Sequence, residues 1–171
     1  MMKNVSSSII VMAENNAVGL KYVGFRFLKF AYEQQENILE QEVFDFPLSV
    51  NIKISEVPQD ESYQVIVTVF VQVVRKSIEE IVTEIVTSSI FHATGGGIEL
   101  TENGKIKFPD FALMTMTSLS ISTTRGGILA KRAGSFLENI PLPIVDPKVF
   151  VPKIDENPGI DFAPKDHDSD Q

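Results

Sequence analysis

An unbroken β-branched stretch is the feature that most restricts how this chain folds. Residues 63–74, YQVIVTVFVQVV, are dominated by valine, isoleucine and threonine, which favour strands, so we expect the central strand of a sheet. Residues 44–54 instead alternate apolar and polar side chains, which is typical of a strand with one face on a core and the other in water. Pro47 places the start of that strand at an edge or a bulge.

Two further segments complete a predicted four-stranded antiparallel sheet. Residues 23–28 alternate apolar and other side chains, and residues 77–91 are again rich in isoleucine, valine and threonine. Both faces of this last strand are apolar, with Ile81 and Ile85 on one face and Val82, Val86 and Ile90 on the other. A sheet that is apolar on both faces needs two covers, and we expect a helix on one and a second subunit or a ligand on the other.

The segment after Phe108 and Pro109 fits two patterns. Residues 111–125, FALMTMTSLSISTTR, have apolar residues at spacings that suit either a strand or a helix, and serine and threonine are mediocre helix formers. The preceding strands favour the helix, because a sheet with an apolar face requires a cover. We therefore predict a long helix with Asp110 as its N-cap, and an α+β fold in which a four-stranded antiparallel sheet is followed by this covering helix.

Three regions divide the chain. Residues 1–20 are polar with a short apolar run, which predicts a loosely attached arm or a short edge strand. Residues 21–150 form the predicted domain, and the prolines between residues 141 and 147 make its last part an extended apolar segment. Residues 151–171 are rich in proline and acidic residues, which is typical of a mobile tail.

Charge and composition narrow the classes of partner. The chain of 171 residues has a formal net charge of −8, which disfavours nucleic acid as the main partner and suits docking to a basic protein surface. It contains no cysteine, so disulfides and thiolate chemistry are excluded. Since no apolar run is long enough for a signal peptide or a bilayer span, we expect a cytoplasmic protein without membrane insertion.

No catalytic or metal-binding set is recognisable in the sequence. The two histidines, His92 and His167, complete neither a Ser-His-Asp nor a Cys-His set, and we expect His92 to be an ordinary surface or partly buried histidine. Gly95–Gly97 lacks the Gly-Lys-Ser/Thr ending of a P-loop. The acidic residues around His167 would be too loosely held for a preorganised cation site. We therefore predict no enzyme, no cofactor and no bound metal.

The stretch TTRGGILAKRAGS, residues 123–135, combines glycines with cations and fits either a phosphate-binding loop or a structural junction. The absence of a Walker pattern favours the junction. We expect the long helix to end here, where Gly126 and Gly127 let the chain turn or let a neighbouring helix come close. Arg125 would then favour the helix dipole and pair with a carboxylate.

The order of these elements, together with three local motifs, resembles the SecB family of export chaperones. EIVTSSIF, residues 84–91, is similar to the end of that family's fourth strand, and Thr124–Gly126 is similar to the Ser-Arg-Gly late in its long helix. LENIPLPIVDPKVF, residues 137–150, is similar to its apolar Leu/Pro segment. The resemblance spans residues 22–150 approximately. The chain departs from the family where a proline-rich, acidic stretch replaces the usual second helix.

The resemblance implies an ATP-independent holdase that keeps polypeptides unfolded for export and assembles as a homotetramer, a dimer of dimers. It implies a client groove bordered by residues 38–46 and 137–150, for which the apolar candidates are Phe44, Phe46, Leu142, Ile144 and Val145. Plain core packing is the alternative role of these residues. Glu84 matches a glutamate on an acidic sheet face that contacts the translocase ATPase SecA, and its alternative is an ordinary solvent-facing strand residue.

Two other functions are compatible with the sequence. SecB-like proteins also act as dedicated chaperones of toxin–antitoxin pairs, so the chain could serve one partner, such as an antitoxin, instead of many unfolded clients. It could also be a scaffold of the same shape without client activity. Co-purification of one stoichiometric partner would indicate the first alternative, and failure to suppress aggregation would indicate the second.

Overall fold

The computed structural model describes residues 8–11, 17–32, 43–57, 62–101, 106–133, 136–139 and 144–150. Within these ranges the chain is α+β, and its strands are β1 (Ser8–Val11), β2 (Val18–Tyr32), β3 (Phe44–Asp45), β4 (Leu48–Val57), β5 (Ser62–Arg75), β6 (Glu80–Thr94), β7 (Glu99–Leu100) and β8 (Ile106–Lys107). Helix α1 spans Asp110–Lys131, and two short 3-10 helices span Phe136–Asn139 and Pro147–Phe150.

Strands β1 to β6 form one antiparallel sheet, while β7 and β8 form a small hairpin of their own. The order in the main sheet is β1-β2-β6-β5-β3, and β4 also pairs with β5. The four long strands, β2, β6, β5 and β4, therefore lie side by side, with the short β1 and β3 added to them. Because β6 and β5 separate β2 from β4, the chain crosses over between its first and second long strands.

Pro47 divides the edge strand that the sequence predicts over residues 44–54. β3 pairs with the end of β5, and β4 resumes the pairing from Leu48 opposite Val71. Between them, the Pro47 carbonyl accepts a hydrogen bond from the backbone N–H of Gln72 at 3.0 Å. A proline cannot donate to a ladder, but this one keeps the chain against β5 through its carbonyl.

The main core lies between α1 and one face of the sheet. Alternate residues of β5 are buried against the helix: Val65, Val67, Val69 and Val71. The helix contributes Ala112, Met116, Ile121 and Ile128 to the same core. The segment with two possible patterns is thus a helix. It begins one residue earlier than predicted, because Pro109 is the N-cap and Asp110 is the first helical residue. The negative charge of Asp110 at this end of the helix favours the helix dipole.

Small polar side chains form the contact between α1 and β6. The hydroxyls of Thr87 and Thr124 lie 2.6 Å apart and are buried. Thr124 also donates to the carbonyl of Ser120 at 2.8 Å, and Ser120 donates to that of Met116 at 2.7 Å. Because these hydroxyls are bonded within the helix or across the seam, they can be buried at little cost. This polar seam explains why the sequence of the helix lacks a clear apolar stripe.

Helix α1 continues past the glycine pair that was expected to end it. Both Gly126 and Gly127 are helical, and the helix ends at Lys131. A Cβ atom on Gly127 would lie 2.9 Å from Cζ of Phe27, so the missing side chain lets β2 approach the helix. The close approach that glycine permits is therefore made to a strand of the same chain, not to a neighbouring helix.

The N-terminal part of β2 lies inside the region that the sequence assigns to an arm. Val18 and Leu20 are buried in the main core. β1 pairs with this part of β2, so residues 8–11 form the short edge strand that was one of the two expectations. Residues 33–42 and the predicted tail, residues 151–171, lie outside the described residues. No helix in the described ranges combines the length and apolarity that a bilayer span needs.

Candidate functional site

The face of the sheet opposite α1 is called the open face here. Paired residues on adjacent strands point to the same side, so the register assigns this face residue by residue. One row across the strands therefore contains Ser49 on β4, Phe70 on β5, Val86 on β6 and Lys29 on β2, in that order. By the same rule, the open face also includes Lys21, Arg26, Asn51, Lys53, Gln64, Ile66, Thr68, Gln72, Glu84, Ser88, Ile90 and His92.

Glu84 lies on the open face within a small polar network. The Nζ of Lys29 donates to its Oε2, and the Nε2 of Gln72 donates to its Oε1 at 3.3 Å. These hydrogen bonds, that of Lys29 first, together with the charge of Lys29, lower the pKa of the Glu84 carboxyl. Glu84 is therefore ionised at neutral pH and already has a cationic partner.

A shallow depression of about 420 Å³ adjoins this network. Its apolar lining includes Phe70 and Val86, and its polar lining includes Lys29, Gln72 and Glu84. Phe70 is unusually exposed for a phenylalanine on a central strand, at 39 % of its surface. The depression therefore offers an apolar contact beside fixed charges, which suits a side chain or a short segment more than a large ligand.

Cations outnumber carboxylates on the open face. Lys21, Arg26 and Lys53 are exposed and form no ion pair within the described part of the chain. Between the row of paired residues that contains Gln72 and the row that contains Gln64, Glu84 is the one carboxylate on this face among the described residues. Lys29 pairs with it and neutralises its charge. The resemblance implies an acidic face around Glu84, whereas the described residues make this face basic.

Two of the predicted client-groove residues lie in a second, smaller core. Phe44 and Phe46 are partly buried and pack against a cluster of Val73, Val82 and Leu137. Leu137 is the first residue of the segment that the resemblance makes one border of the groove. The end of the crossover and the start of that segment therefore do meet, at this end of the sheet.

The remaining groove candidates lie elsewhere or outside the described residues. Val145 packs against the main core beside α1, while Ile144 is 86 % exposed. Leu142 lies outside the described residues. The structure thus brings Phe44 and Phe46 together with Leu137, and it does not bring Val145 into the same cluster.

An exposed apolar surface next to Phe44 was not singled out from the sequence. Val43, Ile78 and Ile81 are 61 %, 59 % and 49 % exposed, and we call them the hairpin-end patch. They lie at the same end of the sheet: Val43 accepts a hydrogen bond from the N–H of Lys76 at 3.0 Å, Ile81 pairs with Val74, and Ile78 lies in the turn between β5 and β6. The usable signal was Ile78 in KSIEE, an isoleucine inside a charged turn between two strands.

A register shift is the reason that the sequence misassigned this region. The strand pattern places Ile81 and Ile85 on one face and Val82 on the other. The ladder between β5 and β6 shifts at Val73 and Val74, so Val82 is buried in the smaller core while Ile81 is exposed. An extra residue in one strand moves the residues beyond it to the opposite face.

The other sequence candidates show no assembled chemistry. His92 lies on the open face between Lys21 and Gln64, and no group of three or more metal-ligating side chains occurs within the described ranges. Gly95 has a φ of 125° and forms a turn closed by the N–H of Ile98 at 3.4 Å, which is a structural use of glycine. His167 and the acidic residues around it lie outside the described residues.

Comparison with known proteins identifies no family for this chain. No family model matches it, and no curated protein matches it. Function is therefore inferred from the surfaces themselves: the hairpin-end patch, the small core beside it, and the open face.

Proposed function

We propose that the protein binds unfolded polypeptide segments and keeps them from aggregating without using ATP. The observation that carries this proposal is the hairpin-end patch, in which Val43, Ile78 and Ile81 are largely exposed at the same end of the sheet as the half-buried Phe44 and Phe46. Grouped exposed apolar side chains on a soluble domain mark interaction surfaces. Unfolded chains expose the apolar side chains that such a surface can cover.

Apolar burial explains both the strength and the breadth of the proposed binding. Each square ångström of apolar surface removed from water contributes about 25 cal/mol, with little demand on direction. Sequence selectivity is therefore expected to be low. The net charge of −8 keeps a protein with exposed apolar side chains in solution.

An open strand edge beside the patch adds a second source of affinity. β3 and β4 pair with β5 on one side, and no strand of the described part of the chain pairs with their other side. An extended client segment could add to this edge through backbone hydrogen bonds, which are independent of the client's sequence. Such pairing would place the client's side chains next to Phe44 and the patch.

The wider role follows the resemblance and is part of the proposal. Four long antiparallel strands followed by a helix that packs on them are compatible with a SecB-like holdase. Export in the cytoplasm, handover to SecA and contact of SecA with Glu84 stay predictions. Service to one partner, such as an antitoxin, is the alternative that the experiment below separates.

Suppression of client aggregation tests the proposal. We expect the purified protein to suppress light scattering of several unrelated refolding clients at near-stoichiometric ratios. The double variant Ile78→Ser/Ile81→Ser should lose most of this effect, because it removes the exposed apolar surface. Leu100→Ser is the matched control, since Leu100 is 67 % exposed on β7 and lies outside the patch.

Three outcomes of this test have distinct meanings. No suppression of any client by the unaltered protein would overturn the proposal. Full suppression by the double variant would show that the hairpin-end patch is not the binding surface. Purification with one stoichiometric partner, without general suppression, would favour the dedicated chaperone.

A further inference from the structure

The proposed client binding does not involve the part of the open face around Phe70. The open face lies on the side of the sheet opposite α1, and its charged and apolar residues come from β2, β4, β5 and β6. Phe70 is 39 % exposed on a central strand, so nothing in the described part of the chain covers this face around Phe70. A central strand with an uncovered aromatic side chain is a candidate contact surface.

The open face has a consistent arrangement of charge and apolar surface. Its apolar side chains lie on the two central strands, and they are Ile66 and Phe70 on β5 and Val86 and Ile90 on β6. Its cations lie on the two outer strands, and they are Lys21, Arg26 and Lys29 on β2 and Lys53 on β4. With neighbouring strands about 4.8 Å apart, the two cationic borders are about 14 Å from each other.

We propose that the open face binds an acidic polypeptide segment of another protein, one with apolar residues between its carboxylates. The apolar residues would cover the apolar side chains from Phe70 and Val86 to Ile66 and Ile90. The carboxylates would pair with Arg26, one row from Phe70 on the β2 border, and with Lys53, in the row of Ile66 on the β4 border. Lys29 is already paired with Glu84, so the cations without an ion pair in the described residues carry this recognition. Charge complementarity is the basis of the choice of partner.

Two other occupants fit this surface less well. A second copy of the chain would bring the same cations together across a two-fold axis, and like charges repel. Nucleic acid requires a basic protein or several stacking aromatics, whereas the chain has a net charge of −8 and Phe70 is the only aromatic residue assigned to the open face in the described strands. Glu84 would also lie close to the phosphates.

A labelled synthetic peptide with a central Ile-Phe run flanked by aspartates is a direct probe of the open face. We expect it to bind the full-length protein in fluorescence anisotropy, and to bind more weakly as salt is added, because exposed charges are screened. The same peptide with asparagine in place of aspartate should bind about fivefold more weakly, because it loses one or two exposed ion pairs. Equal binding of the two peptides would overturn the proposal.

Charge-neutralised variants locate the binding. The double variant Arg26→Gln/Lys53→Gln should bind the aspartate peptide about fivefold more weakly than the unaltered protein. The control variant Lys107→Gln/Lys148→Gln removes two exposed cations outside the open face and should bind the peptide with unchanged affinity. Equal loss in both variants would overturn the assignment to the open face, and so would tighter binding of a single-stranded DNA oligonucleotide. The double variant Ile78→Ser/Ile81→Ser should keep full peptide binding, which separates this inference from the proposed holdase activity.

Discussion

At the scale of single residues, the most informative side chains are those whose neighbours are set by register. Glu84 is a plain strand residue in the sequence, and in the fold it lies between Lys29 and Gln72, which come from two different strands. Neither partner could be assigned from sequence spacing, because both depend on which strands lie side by side. The electrostatics of this residue are therefore a property of the sheet.

The lowered pKa of Glu84 predicts a pH-dependent contribution to stability. A carboxyl whose pKa is depressed on folding stabilises the fold above its unfolded pKa, and the contribution is lost as the pH falls through the folded pKa. We expect Glu84→Gln to lower the urea midpoint at neutral pH and to lose this effect in acid. Glu99→Gln, a change at an exposed glutamate on β7, is the control. A gap between Glu84→Gln and the unaltered protein that stays constant down to strongly acidic pH would contradict the assignment.

At the scale of elements, the contact of α1 with the sheet combines an apolar part and a polar part. The valines of β5 supply the apolar part, while Thr87 and Thr124 join the helix to β6 through buried hydroxyls. At its C-terminal end the helix meets the aromatic residues of β2, where Lys131 Nζ lies 4.4 Å from the ring centre of Phe27. The missing side chain at Gly127 permits this close approach to β2.

The two adjacent glycines of α1 predict opposite effects of the same substitution. A Cβ on Gly127 would lie 2.9 Å from Phe27 and 3.1 Å from Phe25, so Gly127→Ala should destabilise the protein by about 1–3 kcal/mol through overpacking. Gly126 has no atom within 4 Å of such a Cβ, and Gly126→Ala should stabilise by about 0.5–1 kcal/mol because alanine favours a helix. Urea denaturation measures both, and equal effects would show that the helix does not approach β2 as described.

At the scale of the whole molecule, the outer edge of β2 is long and open. β1 pairs only with Val18–Lys21, so within the described residues the edge from Tyr22 to Tyr32 has no strand partner. Val23 and Leu28 lie at irregular points of this strand and are about half exposed. An open edge of this length is a template for pairing with another chain, and we propose that two copies associate through β2.

This proposed assembly makes a prediction about native mass. We expect light scattering to give more than one copy per particle, and Val23→Lys/Leu28→Lys to lower the mass, because charged side chains oppose pairing at an edge. Leu100→Lys, at an exposed position on β7, should leave the mass unchanged. A monomeric unaltered protein would rule out self-association through β2, and an unchanged mass in the double variant would move the interface elsewhere.

Much of the fold was predictable from short-range pattern. The β-branched run at residues 63–74 and the alternation at residues 44–54 both form strands, and Pro47 interrupts the second at an edge. The hairpin-end patch was not predictable, because the hydrogen bond at Val43 and the pairing of Ile81 decide that these residues lie at the same end of the sheet. The irregularity near Val73 also moved Val82 to the buried side, which no propensity indicates.

What the sequence determined by itself is local: the strands and the edge position of Pro47, since these depend on period and on side-chain shape. Tertiary structure decided between helix and strand for the segment at α1, where threonine and serine satisfy both patterns until a sheet face needs a cover. It also decided that an acidic chain presents a basic open face. Lys53 and Arg26 are far apart in sequence, and only the order of the strands places them on opposite sides of the same apolar surface.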